Sequence, residues 1–286
     1  MAKRKTIKQL PQSEIDKIVQ DYKNNVSIRQ LEQKYDVGRY GIAAYLEEIG
    51  VKTLVGNHYR KYFHNFDFFE NIDTEEKAYW LGFIFADGYI VDNTGSKVAY
   101  GEDSIGITLA EEDKDHLLKF KESIQATNPL TVEKRTVGQN TWRILLKGQK
   151  TADDLIAHGC YKKKSHILEP PKGVPDEFIW DFIRGFFDGD GSLTKTKTNK
   201  PDHYIYGINI TTTLPMAEWL RNIYGNGSIV HDKRTEFTYY YSLGGCLQVK
   251  DFCEKMYNNC TIYLDRKLER FSEFLSEYGE SRGTQE

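Results

Sequence analysis

No apolar run in the 286-residue sequence approaches the roughly 18 residues that a membrane-spanning helix needs, and no signal peptide opens it. A membrane-spanning or secreted protein is therefore not expected. Cysteine is scarce: four residues in a chain of this size do not suggest a disulfide scaffold. Cys246, Cys253 and Cys260 recur every seven residues, a spacing that reads as small buried side chains on one helical face, and the lack of any Cys-x-x-Cys pair argues against zinc. Neither sign of charge dominates. The 39 basic and 42 acidic residues give a formal net charge of −3, which in bulk argues weakly against a nucleic-acid partner. What is plentiful is aromatic, with 19 Tyr and 15 Phe. The length allows one large or two modest domains with a real core.

The near-zero total hides segregation. Residues 67–115 hold 13 acids against three bases, whereas residues 131–150 hold five bases (Lys134, Arg135, Arg143, Lys147 and Lys150) against Glu133 alone. Segregated charge can make a DNA-facing surface on a slightly acidic protein.

Two stretches share a pattern, WLGFIFADGYI at 80–90 and IRGFFDGDGSL at 183–193. Gly82 matches Gly185, Ala86 matches Gly189, Asp87 matches Asp190 and Gly88 matches Gly191, each at an offset of 103 residues. Both are helix-like apolar runs with small residues at i and i+4, which let two helices approach backbone to backbone. The glycine after each Asp predicts a left-handed C-cap. Packed side by side, the helices would bring Asp87 and Asp190 together at their ends. That arrangement is unfavourable alone, because each carboxylate faces the negative end of a helix dipole and the two repel. A divalent cation relieves both effects, and hard oxygen ligands suit Mg²⁺. One Asp-Gly is readily an ordinary turn; two in matching contexts are not. A calcium loop is rejected: Asp188, Asp190 and Ser192 fit its first, third and fifth positions, but Leu193 stands where Gly must be and Asn199 where Glu should be.

The duplication extends further. Each half reads αββαββα: in the first, strands near 105–109, 130–136 and 141–147 with helices near 111–124 and 149–158; in the second, strands near 192–198, 204–212, 228–234 and 237–243 with helices near 214–223 and 247–257. EKRT at 133–136 echoes DKRT at 232–235 at the end of the third strand of each half. Lys134, Arg135, Lys233 and Arg234 would then occupy equivalent places on two antiparallel sheets, each covered by helices on one face and open on the other. The open faces predict a basic saddle, to which Arg143, Lys147, Lys195 and Lys197 would add.

Residues 13–49 read as three short helices, about 13–22, one starting at Ser27, and about 39–49. Ser27 followed by Gln30 predicts a capping box. Ile42, Leu46 and Ile49 share one apolar face of the third helix. The trio looks like a helix-turn-helix module with Arg39 and Tyr40 as base readers. Residues 1–52 hold ten bases against seven acids, a modest fit to DNA. The stretch GNHYRKYFHNFDFF at 56–69 mixes His58, Arg60 and Lys61 with aromatics; it either tracks DNA or packs on the duplicated region.

The paired stretches resemble the signature helices of the monomeric LAGLIDADG homing endonucleases, over about residues 70–275. The resemblance implies an α+β, pseudo-two-fold αββαββα fold whose two sheets form a DNA-binding saddle, here joined to a small all-α helix-turn-helix module. The expected layout is the helix-turn-helix at 1–52, a linker at 53–72, a first repeat at 73–170, and a second repeat with a C-terminal helix at 171–286. It also implies a monomer that hydrolyses two phosphodiesters of a long, asymmetric duplex-DNA site, with Mg²⁺ (or Mn²⁺ in its place) held by the eighth-position acids, here Asp87 and Asp190. The sixth positions differ, Phe85 and Asp188, so Asp188 is given no catalytic role and is expected to face solvent or support the site. Lys164 and Lys267, each after the last helix of a repeat, are the candidate assisting lysines, with Lys162, Lys163 and Arg266 competing. No intein features are seen, since the sequence starts at Met and does not end in His-Asn; a free-standing or intron-encoded enzyme of a bacterial or phage-infected cytoplasm is expected. Two alternatives stay open: a non-cleaving transcriptional regulator, and an RNA-splicing cofactor.

Overall fold

The computed structural model describes residues 5–24, 26–51, 61–93, 102–134, 138–199 and 204–283. They fall into two compact units, Met1–Lys61 and Tyr62–Glu286. In the first, helices α1 (Gln12–Lys23), α2 (Ile28–Tyr35) and α3 (Arg39–Glu48) surround a small apolar core that includes Ile18, Leu31, Val37, Ile42 and Leu46. The start of α2 is fixed by a reciprocal cap. Ser27 Oγ accepts from the Gln30 amide at 3.1 Å, and Gln30 Oε1 accepts from the Ser27 amide at 3.0 Å. Asp36, left-handed at φ 52°, stops α2 and turns the chain into α3. The apolar face of α3 is shorter than expected: the helix ends at Glu48, so Ile49 falls on its C-cap and is 43% exposed.

The second unit is the duplicated α+β architecture. Its first half runs α4 (Glu75–Asp87), β1 (Gly88–Val91), β2 (Ser104–Ala110), α5 (Lys114–Ser123), β3 (Thr131–Glu133), β4 (Thr141–Lys147) and α6 (Gln149–Ala157). The second runs α7 (Ile179–Asp190), β5 (Gly191–Lys197), β6 (Tyr204–Thr212), α8 (Leu214–Tyr224), β7 (Ser228–His231), β8 (Tyr239–Gly244) and α9 (Cys246–Tyr257), and α10 (Asp265–Gly283) comes last. Each half forms an antiparallel four-stranded sheet with the same order, β1-β2-β4-β3 and β5-β6-β8-β7. The third strands β3 and β7 stop at Glu133 and His231, short of the expected 136 and 234, so Lys134, Lys233 and Arg234 lie beyond the strands. No described helix is long and apolar enough to cross a membrane.

Alternation along the strands sets two faces per sheet. In the first sheet Ile105, Ile107, Ile144 and Leu146 point into the core, and in the second Ile208, Ile210, Tyr241 and Leu243 do. α4 and α7 sit in the middle of this core, buried along most of their length, Trp80, Phe83, Phe182 and Phe186 among them. α4 is launched by Thr74, whose hydroxyl accepts from the Lys77 amide, with Glu75 and Glu76 complementing the dipole in its first turn. The segment before α4 packs on the first repeat rather than standing away from it. Phe68, Phe69 and Ile72 join the core, and His64 Nε2 lies 2.9 Å from Thr151 Oγ1. His58 and Arg60 lie outside the described residues. All four cysteines are free. Cys246 and Cys253 share α9, but Cys260 comes after it, so the expected three-cysteine helical face does not form.

Candidate functional site

The site is made where α4 and α7 touch. A Cβ at Gly82 would lie 2.0 Å from the Phe182 carbonyl oxygen, one at Gly185 1.9 Å from the Tyr79 carbonyl oxygen, and one at Gly189 2.3 Å from Ala86 Cβ. The two backbones therefore meet at distances that only glycine allows at positions 82, 185 and 189. Both helices end on their aspartate, and Asp87 Oδ2 lies 3.3 Å from where the Gly189 Cβ would be, next to Asp190.

The glycines after the two aspartates do not form the left-handed caps expected of them. Gly88 and Gly191 have φ of −80° and −89°, and each helix runs straight into an extended strand. What requires glycine is crowding. A Cβ at Gly88 would stand 2.6 Å from Ile84 Cγ2, and one at Gly191 would stand 2.1 Å from the Phe187 ring. The left-handed cap appears instead at Gly225, φ 78°, after α8.

Burial pushes both carboxyls up. Asp190 is raised from the ordinary 3.8 to about 6, first by desolvation and then by the charge of Asp87, against the pull of Lys164 and Lys267. Asp87 is raised by desolvation, opposed by Lys164, Lys267 and Arg266. Both candidate lysines are drawn to this end of the helix pair. Buried Lys164 donates to the Ala86 carbonyl oxygen at 2.8 Å. Lys267 donates to the carbonyl oxygens of Gly191 and Phe187. Burial, followed by the charge of Arg266, pulls Lys267 down from 10.5 to about 8. Two of the competing cations are engaged elsewhere: Lys162 pairs with Asp103 at 2.8 Å, and Arg266 with Asp113 at 2.9 Å. Lys163 is exposed in a left-handed turn, φ 57°.

A hard divalent cation fits this pair. Its donors are carboxylate oxygens whose charged forms the fold disfavours, so a cation between them relieves the desolvation and the repulsion together. Among the described residues no group of three His, Cys, Asp or Glu side chains is placed to hold a metal. The remaining ligands would be waters and substrate oxygens, the habit of Mg²⁺.

Several residues that support the site carry no local signal in the sequence. Asp188 does not face solvent. It is fully buried and accepts from Tyr79 Oη at 2.7 Å, Tyr257 Oη at 2.5 Å and the Leu264 amide at 2.7 Å. Tyr79 in turn meets His116 Nε2 at 2.9 Å, and burial pulls that histidine down to about 3. Buried Arg184 donates to the carbonyl oxygens of Met256 and Ile262 and pairs with Asp181 and with Glu75, which also accepts from the Thr261 amide. Together these groups tie the chain between α9 and α10 to the central helices, and so fix where Lys267 begins its reach.

The expected basic saddle is only partly formed. Arg143 and Lys147 do lie on the open face of the first sheet, Arg143 paired with Glu133 at 2.7 Å, and exposed Lys134 comes directly after β3. Lys195 and Lys197 do not share that kind of face. Their register partners Tyr206 and Tyr204 belong to the helix-covered side of β6, and Lys195 is held by Glu277 of α10 at 2.6 Å. Lys233 and Arg234 sit in the turn after β7, with Arg234 clamped on Asp232. Arg135 lies outside the described residues. In the first unit Tyr40 is 79% exposed at the start of α3, with the Arg39 guanidinium 5.1 Å from its ring.

No protein-family model and no curated protein sequence matches the chain. Solved structures do. The I-LtrWI LAGLIDADG homing endonuclease bound to target DNA is 11% identical, with a TM-score of 0.51 over 77% of this chain and 92% of that one. The LAGLIDADG homing endonuclease I-GzeII in complex with its DNA target is 12% identical, with a TM-score of 0.51 over 72% and 91%. The chain therefore has the fold of the LAGLIDADG homing endonucleases, mixed α+β with two four-stranded antiparallel sheets.

Proposed function

We propose that the protein is a site-specific double-strand DNA endonuclease, and that Asp87, Asp190, Lys164 and Lys267 form its reacting centre. The observation that carries the reading is the half-buried carboxylate pair at the ends of α4 and α7, a costly arrangement with no structural return, flanked by buried Lys164 and half-buried Lys267. Asp87 and Asp190 would hold the cation. Mg²⁺ (or Mn²⁺), when bound there, supplies Lewis-acid stabilisation of charge developing on a phosphodiester and a water of lowered pKa. Lys267, titrating near 8, keeps a proton at neutral pH and sets positive charge beside that phosphodiester. Lys164, anchored on the last turn of α4, does the same for the other strand. The unlike sequences of the two sheets suit a long asymmetric site, which one copy of the chain would read with both halves. That I-LtrWI is bound to target DNA and I-GzeII is in complex with its DNA target supports a DNA partner.

The first unit then serves as a helix-turn-helix module, with Arg39 and Tyr40 at the bases and residues 53–72 joining it to the nuclease. The test is cleavage of a randomised duplex library with Mg²⁺ or EDTA, for the wild type and Asp190→Asn. Metal-dependent double-strand cuts at one sequence, absent in the variant, are the expected result. Selective duplex binding without cutting would replace the nuclease by a regulator, and preference for structured RNA would replace it by a splicing cofactor.

A further inference from the structure

The open faces of the two sheets differ in kind. On the first, the register sets Arg143, Lys147 and Glu133 on one side of β3 and β4. On the second, the corresponding face is defined by Asn209, whose register partners are Ser192 and Ser242. Within β5, β6, β7 and β8 this face carries no Asp, Glu, Lys or Arg, and the Asp232–Arg234 pair of the turn after β7 meets its edge at Tyr240 Oη, 2.7 Å and 3.2 Å away. It presents Ile205 and Val230, each 50% exposed, with Thr211 and Tyr240 in register beside Val230. Ser242 Oγ donates to Asn209 Oδ1 at 2.6 Å, which engages the amide oxygen and leaves the NH₂ as the donor of that side chain.

We infer that the strands of the second sheet read their half of the target through thymine C5 methyls packed on Ile205 and Val230 and through base acceptors met by Asn209, with Arg234 only at the edge beside Tyr240, whereas the first sheet reads with Arg143 and Lys147. The inference rests on the nuclease reading above and adds to it a chemical polarity of the site. In the major groove only thymine offers a methyl group, and an aliphatic side chain discriminates it by contact alone. Arginine and lysine instead select guanine O6 and N7. A guanidinium held by Glu133 is also pre-oriented, so the cationic half loses less ordering entropy than a free side chain would. The uncharged half gains nothing from phosphates along its strands, so its share of the affinity comes from fit to the bases.

The experiment takes the site selected from the random library and replaces thymine by deoxyuridine in one half at a time. Each substitution deletes one methyl and nothing else. Cleavage and binding of the full chain are measured for the wild type and for Ile205→Ala/Val230→Ala, both changes at exposed positions that the fold tolerates. In one half, each contacted methyl lost should weaken the wild type about fourfold and the double variant not at all. Lys147→Ala should weaken recognition of the opposite half. A deoxyuridine penalty that is absent, or equal in wild type and variant, overturns the inference while leaving the nuclease intact. A wild type that neither cuts nor selects any duplex overturns the nuclease reading and this inference with it.

Discussion

Replacing Asp190 by Asn should make the metal-free protein more stable. The carboxyl ionises near 6 in the folded chain and near 3.8 in the unfolded one, because the fold desolvates it and sets it beside Asp87. Forcing it to ionise at pH 7 therefore costs the native state about 3 kcal/mol. Asparagine keeps the size and removes the charge, so Asp190→Asn should gain most of that amount. Between about pH 4 and 6 the folded wild type retains a proton that the unfolded chain has lost, so its stability falls as pH rises through that window and levels off above about 7. The variant lacks this slope, and the two proteins converge below about pH 4. The assay is urea unfolding in EDTA at intervals from pH 4 to 8. Mg²⁺ should narrow the gap at pH 7 by stabilising only the wild type. A variant no more stable than the wild type at pH 7, or parallel pH profiles, would refute the reasoning. Groups kept at a cost to stability are those that function selects.

Gly185→Ala would place a methyl 1.9 Å from the Tyr79 carbonyl oxygen, forcing α4 and α7 apart. It should cost about 3 kcal/mol or more in urea unfolding, whereas Gly244→Ala, with open space around it, should stay within about 0.5 kcal/mol; equal losses would show that the helix contact is not tight. In the first unit, Ser27→Ala removes the hydroxyl that accepts from the Gln30 amide and should weaken the start of α2 by about 1 kcal/mol. Hydrogen exchange of that amide should quicken about fivefold, and an unchanged rate would mean the cap contributes nothing.

The central helix pair was legible because its determinants are local and repeated: small residues one turn apart, an acid, a glycine, and the same string 103 residues on. The role of the glycines was misread for the same reason. A helix ending at Gly suggests a left-handed cap, and only the position of Ile84 and of the Phe187 ring shows that crowding demands it. Lys195 and Lys197 were placed on the wrong face because alternation within β5 alone does not say which side is covered. That is decided by pairing Leu193 with Ile208 and Lys195 with Tyr206. The burial of Asp188 was out of reach, since Tyr79 and Tyr257 approach it from 109 and 69 residues away in the chain.

The sixth positions of the two repeats are met by different chemistry. Asp87 and Asp190 stand at the ends of α4 and α7. Phe85 and Asp188, two residues earlier, each meet the opposite helix, Phe85 at Phe182 of α7 and Asp188 at Tyr79 of α4. In the first half Phe85 meets Phe182 edge to face, with ring centroids 5.0 Å apart, and needs nothing more than apolar neighbours. In the second half the chain continues into α10, and Asp188 takes the Leu264 amide just before that helix begins. A buried carboxylate with three donors is tolerable only where those donors are rigid, and Tyr79 belongs to α4, the opposite repeat. One acid thus couples the helix pair to the segment that carries Lys267, while Lys164 donates to the Ala86 carbonyl oxygen in the last turn of α4. The sixth positions thus differ in how they are satisfied, one by an apolar ring contact across the helix pair and the other by three fixed donors, whereas the eighth positions come together at the helix ends.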